Sequence, residues 1–309
     1  MLHVTNGDSA AGSIRSLGLG GDVLPWRDVL HEGPVPAPAT LDSLRPLRAQ
    51  FLAGYDAGAT DVARELEHRD RRLEASALDD EVALWFEHDL YDQLQLAQIL
   101  DSLAARGRPP CTPPRLTLVQ SNDYLGCMDA ARLRALWAER GEVADAQLEA
   151  ARLAWSAFAS ADPRAIEGVL DDVAALPFMR AALIRHLEEF PAVDTGLSRT
   201  ERQILETLAV GSRPFGELFH AAHHEREDPF FLGDTVFVAM LKTLAAGDDP
   251  LVEMDEERAR LTAAGGKVLA GARDRVAALG IDRWLGGVHL EGRDVLYRWD
   301  GRAQRIVAS

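Results

Sequence analysis

Little in this chain announces a role directly, and its shortages are informative. Its 309 residues include only two cysteines, Cys111 and Cys127, too few for a disulfide framework. Two partly buried cytosolic thiols are the plain expectation. No apolar run approaches the ~18 residues a membrane span requires, and stretches such as Val82–Phe86 are soon broken by charge. Met1-Leu2-His3-Val4 leads straight into a strand, without the basic-then-apolar pattern of a signal peptide, so a cytoplasmic location is expected. Positive charge is scarce too: the net charge is −16, of which residues 1–197 carry −13 and residues 198–309 carry −3. Such acidity repels polyanions and makes broad contact with a nucleic-acid backbone a poor expectation. A cation is favoured, and a small anion needs local dipoles to hold it.

What the first half does have is four short apolar runs, each breaking into a polar cluster. Leu2–Thr5 precedes Asn6-Gly7-Asp8-Ser9, and Asp22–Pro25 precedes Trp26-Arg27-Asp28 with His31-Glu32-Gly33-Pro34. Val82–Phe86 precedes Glu87-His88-Asp89 with Asp92-Gln93, and Leu116–Val119 precedes Gln120-Ser121-Asn122-Asp123. Polar residues just past the carboxyl ends of parallel strands converge on one crevice, where open α/β sheets bind ligands.

The spacing predicts β-α-β-α-α-β-α-β-α and then helices, a parallel, Rossmann-like three-layer α/β domain over residues 1–125. Helices are expected to about Leu17, at about 41–54 and 60–76, and after Asp89, where Leu90, Leu94, Ala97 and Leu100 mark an amphipathic face. Pro34-Val35-Pro36-Ala37-Pro38 and the prolines between Arg108 and Pro114 read as breaks. Residues 126–196 read as a helical segment packing on that domain. From about Leu197, a capping box at Ser198-Arg199-Thr200-Glu201 opens three helices and a hairpin, a winged-helix-like unit over 197–309 closed by short C-terminal strands. Its third helix, 233–246, carries Lys242 as its one basic residue, and Asp255, Glu256 and Glu257 sit in the wing. DNA binding is therefore disfavoured against a protein partner. His220, His223 and His224 read as an exposed helix end rather than a zinc site.

Each cluster has a bland reading beside the chemical one. Asp8 and Ser9 can simply cap a helix, or Ser9 and the amides after Gly7 can hold an anion. Arg27 and Asp28 can be a surface pair, or Arg27 can fork onto a carboxylate or phosphate while His31 titrates in a useful range. Asp89 and Asp92 can complement a helix dipole. Together with Glu87 and His88 they also suit a hard divalent cation or an acid–base pair. Asn122 fits a turn. The case for a site rests on all four clusters meeting at one rim. In that reading Asp28, His31, Glu87 and His88 are catalytic, and Asn6, Gly7, Ser9, Arg27, Gln93 and Asn122 bind ligand. Asp8 and Asp89 hold a divalent cation, Mg or Mn.

His3-Val4-Thr5-Asn6-Gly7-Asp8-Ser9, Leu24-Pro25-Trp26-Arg27-Asp28-Val29-Leu30-His31-Glu32-Gly33-Pro34 and Trp85-Phe86-Glu87-His88-Asp89-Leu90-Tyr91-Asp92-Gln93-Leu94 together resemble the bacterial family catalogued as domain of unknown function 1835. The likeness covers roughly residues 2–125. The C-terminal part resembles the uncharacterised domain that often accompanies it, family 3658. The resemblance implies no established activity. Gly7-Asp8-Ser9 and Ser121-Asn122-Asp123 also resemble blocks of the SGNH-type esterases, but residues 125–197 lack the Asp-x-x-His those enzymes need. With His186 alone there, Ser9 is an ordinary hydroxyl. The expected function is thus a metal-assisted hydrolase or group-transfer enzyme on a small polar or phosphorylated molecule. The alternatives are a ligand-sensing regulator and a plain interaction module.

Overall fold

The computed structural model describes residues 1–55, 61–105 and 114–308. In chain order the first part runs β1 (Leu2–Thr5), α1 (Asp8–Ser16), β2 (Asp22–Pro25), β3 (Gly33–Pro34), α2 (Leu41–Ala53), α3 (Val62–Ala75), β4 (Glu81–Phe86), α4 (Leu90–Ala105) and β5 (Arg115–Gln120). Apart from β3, which opens the stretch expected as a connector, these match the expected strands and helices closely. A sheet of order β2-β1-β4-β5 is parallel throughout. After α5 (Ala130–Ala138), the two-residue β6 (Gly141–Glu142) adds an antiparallel edge to β5, where only helix was expected. Cys127 is a free, exposed thiol rather than a partly buried one, and Cys111 lies outside the described residues.

Alternation along β4 explains the layering. Ala83 and Trp85 face α1 and α5, while Val82, Leu84 and Phe86 face α4 and the helices beyond it, α6 (Asp145–Phe158), α7 (Arg164–Val169) and α8 (Met179–Leu187). With both faces covered, every residue of β4 is buried, as a central parallel strand must be. The expected amphipathic character of α4 does not hold: residues 92–100 are buried all round, because α6 and α8 cover its outer side.

The chain continues with α9 (Arg199–Ala209), β7 (Arg213–Pro214), α10 (Phe215–Phe219), a π-helical turn at His220–His224, α11 (Asp234–Leu244), β8 (Val252–Met254), β9 (Arg258–Leu261), α12 (Ala263–Leu269) and α13 (Arg275–Leu279). Ser198 and Glu201 form the anticipated capping box, and Thr262 caps α12. The β7-β9-β8 sheet and these helices enclose their own core around Ile204, Leu218, Phe237, Leu241 and Val252.

The final strands go elsewhere. Of β10 (Ile281–Gly286), β11 (Val288–Gly292), β12 (Tyr297–Asp300) and β13 (Arg305–Ala308), β10 pairs with β11 and, in parallel, with β3 of the first part. Leu285, Val288, Leu290, Trp299 and Ile306 join the first hydrophobic core. The C-terminal strands therefore close on the α/β part and not on the 197–280 unit, because that unit's core is already filled by its own helices. The turn between β10 and β11 presses on the end of α6: the Gly287 amide donates to the Phe158 carbonyl at 2.9 Å, and Gly286 has φ +60°. A Cβ on Gly287 would overlap the Ala159 carbonyl oxygen. Gly287→Ala should lower unfolding stability by about 1–3 kcal/mol through overpacking, read from the urea midpoint at unchanged m-value.

Candidate functional site

Strand order fixes where a crevice opens. The chain leaves β1 toward β2 on one side, while β4 leads to β5 on the other, so the loops after β1 and β4 diverge. This is a topological switch point, the place where open α/β sheets bind ligands. Asn6 follows β1, and Glu87, Asp89 and Asp92 follow β4. The Asn6 amide donates to Asp92 Oδ2 at 2.7 Å, bridging the two loops. A cavity of about 320 Å³ lies here, with Asn6, His31, Glu87, Asp89 and Asp92 in its walls.

The local chain explains how three carboxylates come together. Asp89 caps α4 by accepting the Asp92 amide at 3.0 Å, and Asp92 accepts the Glu87 amide at 2.7 Å, folding the segment back on itself. Glu87 Oε1 accepts the Leu125 amide at 2.7 Å, and Gln93 donates to the Glu87 carbonyl at 2.6 Å. The result is a ligand oxygen from each of Glu87, Asp89 and Asp92 within 4.8 Å of the others, all buried. Burial first, and then the Asp92 charge, push the Glu87 carboxyl up to about 8. Asp89 and Asp92 are likewise raised by burial and by their carboxylate neighbours.

Among the described residues, ten carboxylates are buried, and seven of them pair with arginine. Glu87, Asp89 and Asp92 are the three without an arginine or lysine partner. His31 shares their cavity. It is 2% exposed, with its ring edge-on to Phe231 at 5.2 Å and to Tyr91 at 6.0 Å. Neither of its ring nitrogens has a hydrogen-bond partner among the described residues. Burial, helped by Arg283, His186 and Arg48 against the opposing pull of Glu189, takes its pKa down to about 3, so the imidazole is neutral.

Other expected site residues lie outside this cavity. Asp8 is exposed on the surface and receives both Nε and Nη2 of Arg27, at 3.0 and 2.6 Å, so neither is a metal ligand or an anion clamp in the cavity. Gly7, not Asp8 or Ser9, is the N-cap of α1, and Ser9 is exposed. Asp28 is fully buried against Arg48 at 2.6 Å and Arg69 at 3.5 Å, a structural ion pair rather than a catalytic group. His88 packs between Tyr124 and Phe178, and burial lowers its pKa. Gln93 stands behind Glu87, and Asn122 is exposed in its loop. Strand order explains several of these misses: β2 and β5 each lie one strand, about 4.8 Å, outside the pair that flanks the crevice. Of the predicted set, Asn6, His31, Glu87 and Asp89 converge.

The roof escaped sequence reasoning. Phe230, Phe231, Leu232 and Gly233 line the cavity from 200 residues downstream of His31. Tyr124 stacks on Phe230 at 4.1 Å between ring centroids and donates its hydroxyl to the Phe230 carbonyl at 2.9 Å. His223 is buried, not part of an exposed helix end, and its Nε2 accepts the amides of Phe231 and Leu232 at 3.1 and 2.9 Å. The signal available was a run of apolar residues between Pro229 and Gly233, in a segment with no helical or strand periodicity. A larger groove of about 980 Å³ lies between α2 and α11, beside Trp284. Its polar residues Asp234 and Lys242 are exposed, and no unpartnered buried polar group faces it, so the chemistry points to the smaller cavity.

No protein-family model matches this chain, and no curated protein matches it significantly. No helix among the described residues is long and apolar enough to cross a membrane.

The raised carboxyls carry a pH consequence. Between the ordinary carboxylate range near about 4 and about 8, folded Glu87 keeps a proton that the unfolded chain has released. That contribution is complete below the unfolded value and is lost as pH rises through the folded one. In chelator-treated buffer, the melting temperature should therefore fall between pH 5 and pH 8 by more in the native protein than in Glu87→Gln. Parallel pH profiles of the two would contradict this.

Proposed function

We propose that this chain is a metal-assisted hydrolytic or group-transfer enzyme acting on a small polar molecule in the switch-point cavity, with Mg²⁺ or Mn²⁺ held by Glu87, Asp89 and Asp92. The supporting observation is that, among the described residues, these three buried carboxylates have no arginine or lysine partner while each of the other buried acids has an arginine. Three close like charges in a dry site are unfavourable, and a hard divalent cation with oxygen ligands relieves that repulsion. His31, the unpartnered polar group on the same wall, argues for a ligand rather than for a purely structural acid cluster.

When bound, such a cation polarises a substrate oxygen or an attacking water. The chain's own residues do the rest. Asn6 and the Glu87 and Asp92 amides hold the carboxylates in register. Tyr124, Phe230 and Phe231 exclude water from one side. Neutral His31 offers one donor and one acceptor to the substrate. The likeness to domain-of-unknown-function family 1835, and a Rossmann-like description of the first part, belong to the same reading.

One observation favours a second reading, a ligand-sensing regulator. The roof residues end at Gly233, the N-cap of α11, so the cavity abuts the helix that a winged-helix reading of 197–280 would assign to recognition. With Lys242 as the one basic residue of α11, a protein partner suits that helix better than DNA.

Mn²⁺ or Mg²⁺ should raise the melting temperature of the chelator-treated protein by mass action, and more at pH 8 than at pH 5.5, because binding displaces protons. Asp89→Asn should abolish the shift while leaving a folded protein. Asp28→Asn should instead cost about 3–5 kcal/mol of stability, by leaving the buried Arg48 guanidinium without its carboxylate. A wild type indifferent to every divalent cation would end the metal reading. Metal and ligand binding without turnover of any substrate would favour the sensor.

A further inference from the structure

We propose that the molecule sharing this cavity with the cation is uncharged, with a flat apolar body and a hydroxyl or amide group directed at His31, and is not a phosphorylated or carboxylate-bearing compound. This rests on the cation site proposed above and concerns only what lies beside it.

Charge makes the first argument. Three carboxylates and one divalent cation leave the site at a net −1, and among the described residues neither arginine nor lysine lines it. The arginines around it are engaged elsewhere, including Arg185, which lies 4.9 Å from the Phe231 ring centroid and pairs with Glu189 and Glu227. Arg27 forks onto Asp8, Arg48 and Arg69 face Asp28, and Arg283 lies on Glu32 and Glu189. A phosphate entering here would lose its hydration shell and meet net negative charge in return. The sequence expectation of a phosphorylated ligand depended on Arg27 and on the amides after Gly7, none of which lines the cavity.

Hydrogen-bond complementarity makes the second. Both nitrogens of His31 are buried and unpartnered. A neutral imidazole presents one donor and one acceptor. A hydroxyl or an amide can bond whichever nitrogen faces it, as donor or as acceptor, whereas an ionised phosphate or carboxylate can only accept and so suits the protonated nitrogen alone. Shape makes the third. The rings of Tyr91, Tyr124, Phe230 and Phe231 form the remaining walls, and such rings favour flat apolar groups. A volume of about 320 Å³ sits at the small end of ligand pockets and excludes a dinucleotide.

The test uses the full chain saturated with Mn²⁺ and two pairs of probes with the same ring: benzamide against benzoate, and benzyl alcohol against phenyl phosphate. By calorimetry, the uncharged member of each pair should bind roughly tenfold tighter or better, with one Mn²⁺ per chain. His31→Leu should weaken binding of the uncharged members and so narrow that preference, and His31→Gln, which keeps a donor and an acceptor, should restore it. Equal or tighter binding of the anionic members, binding of neither class, or two Mn²⁺ per chain would each overturn the inference. The Mn²⁺ titration without probes is read separately. Its failure removes the cation site itself, while a normal Mn²⁺ titration with the wrong probe preference removes only the substrate class.

Discussion

A carboxylate taken out of water needs a counter-charge, and this chain meets that demand almost entirely with arginine. Of its 33 basic residues, only Lys242 and Lys267 are lysines. Arginine's planar fork is the better partner for a buried carboxylate, since it gives two parallel hydrogen bonds and is less strongly hydrated than an ammonium group. Asp28 illustrates the use: Arg48 reaches it with Nε and Nη2, then continues to the Glu32 and Val29 carbonyls, tying α2 to the loop after β2. Glu189, Arg283 and Glu32 similarly join α8, β10 and the approach to β3. These pairs hold segments far apart in sequence. Breaking one leaves its partner buried and uncompensated, at about 3–5 kcal/mol. Against this background the trio at the end of β4, without an arginine or lysine partner among the described residues, is a departure from the pattern of the other buried acids.

The departure coincides with the switch point where the loops after β1 and β4 diverge. Glu87, Asp89 and Asp92 would be only an acidic helix start were they at the end of an edge strand, open to water and stabilised by the helix dipole. They follow β4, whose two faces are covered by helices and whose neighbours β1 and β5 carry their own loops over it. Enclosure turns a common N-terminal pattern into three carboxyls with raised pKa values. The same enclosure holds His31 neutral, so the two kinds of group have been moved in opposite directions by one cause, loss of water.

This account also explains what could be read in the sequence. Strand and helix positions were legible, because Leu2–Thr5, Glu81–Phe86 and the capping box at Ser198 are encoded by local periodicity and local caps. Glu87, Asp89 and Asp92 were legible as a group, since one turn of chain holds all three. Which neighbouring clusters would join them was not, because that depends on strand order, a property of non-local pairing with no local signature. Asp28 looked like site chemistry for the same reason: its partners Arg48 and Arg69 lie 20 and 41 positions away. The C-terminal strands gave no sign that β10 would return to β3, some 250 residues earlier, and His223 looked exposed because its two partners are backbone amides.

The roof links the two halves of the molecule more tightly than a surface contact would. His223 stands in the second unit and fixes the amides of Phe231 and Leu232, while Tyr124 of the first unit holds Phe230 by stacking and by its hydroxyl. Tyr124 is the neighbour of Leu125, whose amide is bonded to Glu87 Oε1. One continuous set of hydrogen bonds and ring contacts therefore runs from the carboxylate cluster through Tyr124 to the segment that starts α11. A change of charge at Glu87 acts on the Leu125 amide directly. Its neighbour Tyr124 holds the roof, whose Phe231 ring also packs on His31. The roof is thus anchored from both sides, by Tyr124 of the first unit and by His223 of the second.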